Sequence, residues 1–332
     1  MTSISDTSAT VLRDMRRQTY RLGSNYVLHA ARVVAQAIDR DVIKALIFLS
    51  ISRANVSAFA TTAEAVTAFG GLSEVPPDDV RVPVTVYRVA RELGLPYETT
   101  RRHVANLKAT GLCVLIDGGL VVPRAVLQGP GFLRAIEENA ALTTNLVVQL
   151  ERFGVTSNVC SSAPARDVSR QTMRLSVEYF LDAVCLMARV MELDFVDVLL
   201  LRATSLANVD RLVHDPILGA QFGGLADIPS DGHRTPVSVI AIAKFMLMPY
   251  ETARRRMNRL VSLGVMERWV HGGFVVPEAV VIRPNVIAGT AEFATLTEEF
   301  LTSLSRIGVS PREGLPAAPG HRLFAPDRLV ER

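Results

Sequence analysis

Two short segments hold side chains suited to recognition chemistry. One reads Pro96-Tyr97-Glu98-Thr99 and then Arg101-Arg102. The other reads Pro249-Tyr250-Glu251-Thr252 and then Arg254-Arg255. A guanidinium is planar and permanently charged, and it donates two parallel hydrogen bonds. It therefore matches a carboxylate, a phosphate, or the O6/N7 edge of guanine. Tyr97, Thr99 and the first-turn backbone amides suit phosphate, as do Tyr250 and Thr252 in the second segment. Lys108 continues the first polar set, and Asn258 and Arg259 continue the second. At 100° per residue, Thr100, Val104 and Leu107 share one helical face, with Glu98, Arg101, Arg102 and Ala105 opposite. Ala253, Met257 and Leu260 form the matching seat, with Glu251, Arg254, Arg255 and Asn258 opposite. Each segment is thus expected to be an amphipathic helix, over 97–110 and 250–263, with its arginines facing outward.

Other chemistries find little support. Six histidines (His29, His103, His214, His233, His271 and His321) are scattered, with no HExxH and no Cys/His cluster. Cys113, Cys160 and Cys185 form no CxxC. There is no P-loop, no GxGxxG and no evident nucleophile–base pair. We expect no enzyme, no metal and no cofactor.

The elements that must position these helices are arranged in a long repeat. A shift of 153 positions lays Tyr26 on Tyr179 and Ala54-Asn55-Val56 on Ala207-Asn208-Val209. It also lays Phe69-Gly70-Gly71-Leu72 on Phe222-Gly223-Gly224-Leu225, and Pro76 on Pro229. Across 81–111 and 234–264, 13 of 31 residues are identical. After Gly111 and Gly264 the second copy has one extra residue, so that Gly118-Gly119 meets Gly272-Gly273 and Pro123 meets Pro277. Such a period is far too long for a solenoid and implies a duplicated domain. The expected division is an N-terminal segment 1–23, domains 24–155 and 177–309, a Ser-rich linker 156–176, and a tail 310–332. The FGGL loops could touch DNA or the other copy, but plain loop packing is the expectation.

Within one copy, periodicity predicts helices over 26–38 and 41–59, then a turn-rich loop through Pro76-Pro77-Asp78-Asp79. A short helix over 84–93 precedes the Gly94-Leu95-Pro96 break. Helix 97–110 ends at Gly111. Apolar strands 112–116 and 120–122 flank Asp117-Gly118-Gly119, a hairpin signal, and a last helix covers 132–153. The fold class is mainly α with small β-hairpins.

The order helix, turn, helix, hairpin resembles the winged helix-turn-helix of bacterial transcription regulators. The residues carrying the resemblance are LGLPYETTRRHVANLKATGL and LMPYETARRRMNRLVSLGV. The match spans about 45 residues in each copy. It implies a duplicated winged-helix protein that reads double-stranded DNA with two recognition helices, on half-sites about one turn apart. One departure is Leu247, which stands where the first copy has the turn glycine Gly94. The wing tips, Asp117-Gly118-Gly119 and His271-Gly272-Gly273, carry no Lys or Arg, and only Arg268 lies nearby. The hairpins are therefore expected to be mainly structural.

Charge agrees with this placement. The 332-residue chain has a formal net charge of only +3, yet windows 81–111 and 234–264 carry +4 and +5, leaving the remainder negative. A lone pair of arginines usually only solvates a helix face; the same pair twice in register, each ahead of a hairpin, favours DNA. Apolar residues at 49% and charged residues at 21% disfavour a disordered chain. The first twenty residues are polar, the longest apolar runs (42–51 and 196–201) fall short of the ~20 residues needed to span a bilayer, and the cysteines suit a reducing compartment. A cytoplasmic protein without membrane contact is expected. The apolar upstream helices, 179–191 and 196–206 above all, could pack the copies together, form a homodimer with the C-terminal helices, or line a small-molecule effector pocket. Two further readings remain: a plasmid-type replication initiator, and a winged-helix protein-interaction module that does not bind DNA.

Overall fold

The longest helices carry most of the apolar residues and form the frame of the molecule. A computed structural model describes residues 13–58, 68–155, 166–270 and 272–309. Four helices form this frame: α1 (Arg16–Ala37), α6 (Pro130–Arg152), α7 (Ser169–Met191) and α14 (Pro284–Arg306). Each packs against two of the others, so they close into a four-helix bundle. Tyr26 and Tyr179 meet in its interior, with ring centroids 5.8 Å apart, and Tyr179 stacks on Phe300 at 4.5 Å. Buried hydroxyls need partners. Tyr26 donates to Asn139 Oδ1 at 3.0 Å, and the Tyr179 and Thr297 hydroxyls share a bond of 2.8 Å. Burial pushes the Tyr26 hydroxyl up to about 12 and raises that of Tyr179 further.

Two apolar helices flank the bundle, α2 (Val42–Val56) and α8 (Phe195–Asn208). Asp41 caps α2 by accepting from the Ile43 and Lys44 amides, and Asp194 caps α8 by accepting from the Asp197 amide. Each leads to a small unit. The first comprises α3 (Val86–Glu92), α4 (Tyr97–Ala109), β1 (Val114–Ile116), β2 (Gly119–Val121) and α5 (Arg124–Leu127). Between α8 and the second unit stand two short helices, α9 (Asp210–His214) and α10 (Pro216–Gln221). The second comprises α11 (Val239–Phe245), α12 (Tyr250–Ser262), β3 (Glu267–Arg268), β4 (Phe274–Val275) and α13 (Glu278–Val281). Helix α4 packs on α2, and α12 packs on α8. The protein is mainly helical, with two small antiparallel sheets. Val114 pairs with Val121 in one, and Glu267 with Val275 in the other.

The hairpins are held from beneath by buried asparagines. Asn55 donates to the Val82 carbonyl (2.8 Å) and the Leu120 carbonyl (3.0 Å) and accepts from the Val122 amide (2.9 Å). Asn208 does the same with the Thr235 and Phe274 carbonyls and the Val276 amide, at 2.8, 3.0 and 2.9 Å. The Ala-Asn-Val motif thus fixes each hairpin to the end of α2 or α8.

Two expected boundaries move. Helix α1 begins at Arg16, inside the expected N-terminal segment 1–23, and α7 begins at Ser169, inside the expected linker 156–176. Both first turns look like solvent-exposed polar sequence, yet Arg17, Gln18, Thr19 and Arg21 are buried. Gln18 donates to the Val213 carbonyl and Thr19 to the Met15 carbonyl, and the two arginines are satisfied by the FGGL loops. The Arg17 guanidinium donates to the Gly224 and Leu225 carbonyls, Arg21 donates to the Phe222 carbonyl, and Asp14 accepts from the Leu225 amide. In the opposite direction, Arg170 donates to the Leu72 carbonyl, Arg174 to the Phe69 carbonyl, and Asp167 accepts from the Leu72 amide. Each FGGL loop therefore packs against the other half of the chain. Residues 1–12, 156–165 and 310–332, with Cys160 and His321, lie outside the described residues, as does His271.

Candidate nucleic-acid interface

Helix α4 follows α3 through a tight left-handed turn. Thr85 caps α3 by accepting from the Arg88 amide at 3.2 Å, and Ser238 caps α11 by accepting from the Ala241 amide at 3.2 Å. At the turn, Gly94 has φ +59°, and Leu247 takes the same left-handed conformation at φ +50°. The expected departure therefore leaves the turn intact. The partly buried Leu247 side chain packs against the core, which offsets the strain of a branched residue there.

The seating faces are as the spacing predicts. Thr100, Val104 and Leu107 are buried beneath α4, and Ala253, Met257 and Leu260 are buried beneath α12. Gly111 and Gly264, both at positive φ, let the chain turn out of each helix.

Opposite the seats lie the candidate contact residues. Tyr97, Glu98, Arg101, Arg102 and Lys108 are exposed on α4, with Thr99 half-buried. Tyr250, Glu251, Arg254, Arg255 and Arg259 are exposed on α12, with Thr252 and Asn258 half-buried. Arg101 forms a two-pronged pair with Glu98 at 2.5 and 2.8 Å. Arg254 pairs with Glu251 at 2.8 Å. Hydrogen bonding to Arg101 lowers the Glu98 carboxyl and raises Arg101. Arg102 and Arg255 make no hydrogen bond or ion pair with other described residues, so their guanidiniums face solvent with all donors open.

The two helices differ in how they are held. Arg256 reaches back to Asp194 at 2.9 Å and to Asp197 at 2.6 Å. Arg259, expected as a contact residue, also pairs with Asp197, and with Asp194 at 3.4 Å. Its guanidinium is thus shared with the frame. Asn258 accepts a 2.6 Å bond from Arg268, which ties the second hairpin to α12. In the first half, His103 stands 3.8 Å from Asp41, and Lys44 pairs with Asp39. Burial is the main reason the His103 imidazole titrates below 6.5, with Asp41 opposing the shift and Arg102 and Lys44 adding to it.

Charge is less concentrated on this face than the sequence windows imply. Arg81 and Arg234 are buried and hold their own loops, through Asp78 and the Pro76 carbonyl and through Asp231 and the Pro229 carbonyl. Other exposed residues join the face unforeseen: Tyr87, Arg88 and Arg91 on α3, and Ile240 on α11. The outer strands are apolar and exposed at Val114, Leu115 and Ile116, and beyond β3 at Trp269 and Val270, the last 93% exposed. A signal existed for these. An unbroken apolar run in a two-stranded hairpin with one buried face must expose part of itself. Elsewhere, burial pushes the thiols of Cys113 and Cys185 up to about 11, which removes thiolate character at neutral pH.

Among the described residues, no helix is long and apolar enough to cross a membrane. No protein-family model, curated protein or solved structure matches the chain.

Proposed function

We propose that this chain is a sequence-specific transcription regulator that binds duplex DNA through two winged-helix units, with α4 and α12 as its recognition helices. The observation that carries this reading is the paired first turn. Tyr97-Glu98-Thr99 with Arg101-Arg102, and Tyr250-Glu251-Thr252 with Arg254-Arg255, lie opposite buried seats and precede antiparallel hairpins. N-terminal side chains of a recognition helix are those that reach base edges in the major groove. Arg102 and Arg255 are open to guanine or phosphate, and Arg101 and Arg254 are held upright by Glu98 and Glu251. The upstream and C-terminal helices bury their apolar faces within the bundle, so a single chain carries both reading heads.

A second reading draws support from the exposed wings. Leu115, Ile116, Trp269 and Val270 would suit an apolar partner surface, as in a winged-helix protein-interaction module. The two readings separate in one experiment. The full chain is titrated against a fluorescent random-sequence duplex at two salt concentrations, alongside R101A/R102A and R254A/R255A. DNA binding predicts affinity that falls steeply with salt and a slope that shrinks by about 0.9 for each phosphate contact removed. Absence of binding by the intact chain at low salt would refute the DNA reading and leave the interaction module.

A further inference from the structure

Two cavities occupy matching places in the chain. Ser52, Arg81, Arg170 and Arg174 line the first; Ser205, Arg234, Arg17 and Arg21 line the second. Each member of one set is 153 positions from its counterpart. The matched walls differ at several positions, two of them in charge, and Glu178 lines only the first. The first has Leu49 where the second has Arg202, and the first has Arg53 where the second has Leu206. Arg53 is neutralised by Glu92 and Asp182. Arg202 has no carboxylate partner among the described residues.

Arg202 is only 8% exposed. One terminal nitrogen donates to the Ser24 hydroxyl, the guanidinium lies 3.8 Å above the Tyr20 ring, and Nε is buried without a partner. Burying a guanidinium without a counter-charge is strongly unfavourable. Stacking on Tyr20 recovers part of that. Packing does not require the arginine, because the matching position in the first half is filled by Leu49. Three more buried arginines, Arg17, Arg21 and Arg234, line the same cavity, and no carboxylate does. Arg21 is pushed down to about 9 by burial and by repulsion from Arg17 and Arg234, and Arg202 to about 9 by burial alone. The cavity is a preformed positive site: Asp231 pairs with Arg234 and backbone carbonyls hold Arg17 and Arg21, which leaves Arg202 as its guanidinium without a counter-charge among the described residues.

The remaining walls set the ligand class. Met187, Met191, Leu201 and Val286 are apolar, and Ser205 and Thr290 add hydroxyls. A phosphate would leave oxygens against these apolar side chains. A carboxylate concentrates its charge at one end and offers an apolar body for the rest. The volume of about 50 Å³ limits that body to a few carbons. We propose that this cavity binds a small monocarboxylate, with the carboxylate on Arg202 and the hydrocarbon against Met187, Met191 and Val286. The site stands independently of DNA binding, although its Val209, Arg234 and Val276 adjoin the Asn208 strut beneath the second hairpin.

The test is thermal unfolding of the full chain with acetate, propionate or butyrate. Butyramide, inorganic phosphate and chloride at matched ionic strength serve as controls. At a hundredfold excess over Kd, a bound carboxylate should raise Tm by about 4 °C; butyramide should not. R202L, which installs the residue found in the first cavity, should melt above the wild type without ligand and lose at least tenfold in affinity. R202K, which keeps the charge, should retain part of the response and covers the case in which R202L does not fold. The proposal is overturned if no carboxylate raises the wild-type Tm above the chloride control. It is equally overturned if R202L responds as the wild type does, or if phosphate alone stabilises.

Discussion

Replacing Asn208 with alanine should detach the second hairpin from the frame. Asn208 is 1% exposed and makes three hydrogen bonds there. Truncation does not orphan all three partners, because the Phe274 carbonyl also accepts from the Val237 amide at 3.1 Å. The Thr235 carbonyl and the Val276 amide lose their only partner among the described residues. A buried polar group left without a partner costs about 1–3 kcal/mol, so two cost about 2–6 kcal/mol. That is a large part of the ~5–15 kcal/mol that holds a typical domain together. The assay is urea unfolding followed by two probes, far-UV circular dichroism and the fluorescence of Trp269. Trp269 is the single tryptophan of the chain and lies in the second hairpin region. The fluorescence transition of N208A should move to lower urea and precede the circular dichroism transition, because the bundle does not depend on this asparagine. A fluorescence shift equivalent to less than about 1 kcal/mol would refute the reasoning, since one lost hydrogen bond alone reaches that size.

Two other stability outcomes follow from local geometry. Gly94 has φ +59° and open space where a Cβ would stand; G94A should therefore cost about 1–2 kcal/mol from backbone strain alone, read by urea unfolding. Burial depresses the His103 pKa below 6.5, so the unfolded chain binds this proton more readily than the folded one. That contribution to stability is complete above about pH 6.5 and declines as pH falls through the folded value. Melting curves of H103Q should lose this part of the acid-side slope; an unchanged slope would show that other groups cause it.

Legibility in the sequence followed the kind of burial involved. Helices α4 and α12 were readable because their apolar seats and polar faces alternate at helical spacing. The asparagine struts showed as a repeated motif, although nothing in their spacing disclosed their role. The first turns of α1 and α7 were unreadable as core. Arg17, Gln18 and Arg21 are buried by carbonyl partners some two hundred residues away, and an apolar–polar pattern counts such residues as surface. The signal was nevertheless present, since Asp14, Arg17, Gln18, Arg21 and Leu22 recur as Asp167, Arg170, Gln171, Arg174 and Leu175 at the same offset of 153. Helices α9 and α10 were missed because each is under two turns long, too short for a period to show; α9 has no side-chain cap at its start, and α10 starts from the Asp215 cap with Pro216 in its first turn. The candidate site was legible in its first turns and misjudged in its charge, because counting residues in a window cannot separate a solvated arginine from one that holds a loop.

Under the proposed DNA-binding function, that distinction changes which of the two units should dominate. By sequence the second window is the more basic, at +5 against +4. In the fold, Arg81 and Arg234 leave the surface of both units, and Arg256 and Arg259 are balanced by Asp194 and Asp197. The matching positions in the first half are His103 and Asn106, facing Asp41 and Lys44, so no such network forms there. Arg88, Arg91, Arg101, Arg102 and Lys108 remain exposed around α4, against Lys244, Arg254, Arg255, Arg268 and an Asp-paired Arg259 around α12. The first unit is thus the more charged only by the balance of Arg259, and the second is the more firmly anchored. Anchoring fixes the angle of α12 before any ligand arrives, which lowers the ordering cost of binding. Charge supplies the salt-dependent affinity. R101A/R102A should therefore remove more of the salt slope than R256A/R259A. Equal losses would mean that the Asp194–Asp197 pairs open on binding and release Arg256 and Arg259 to the phosphates, making the network a latch rather than a strut.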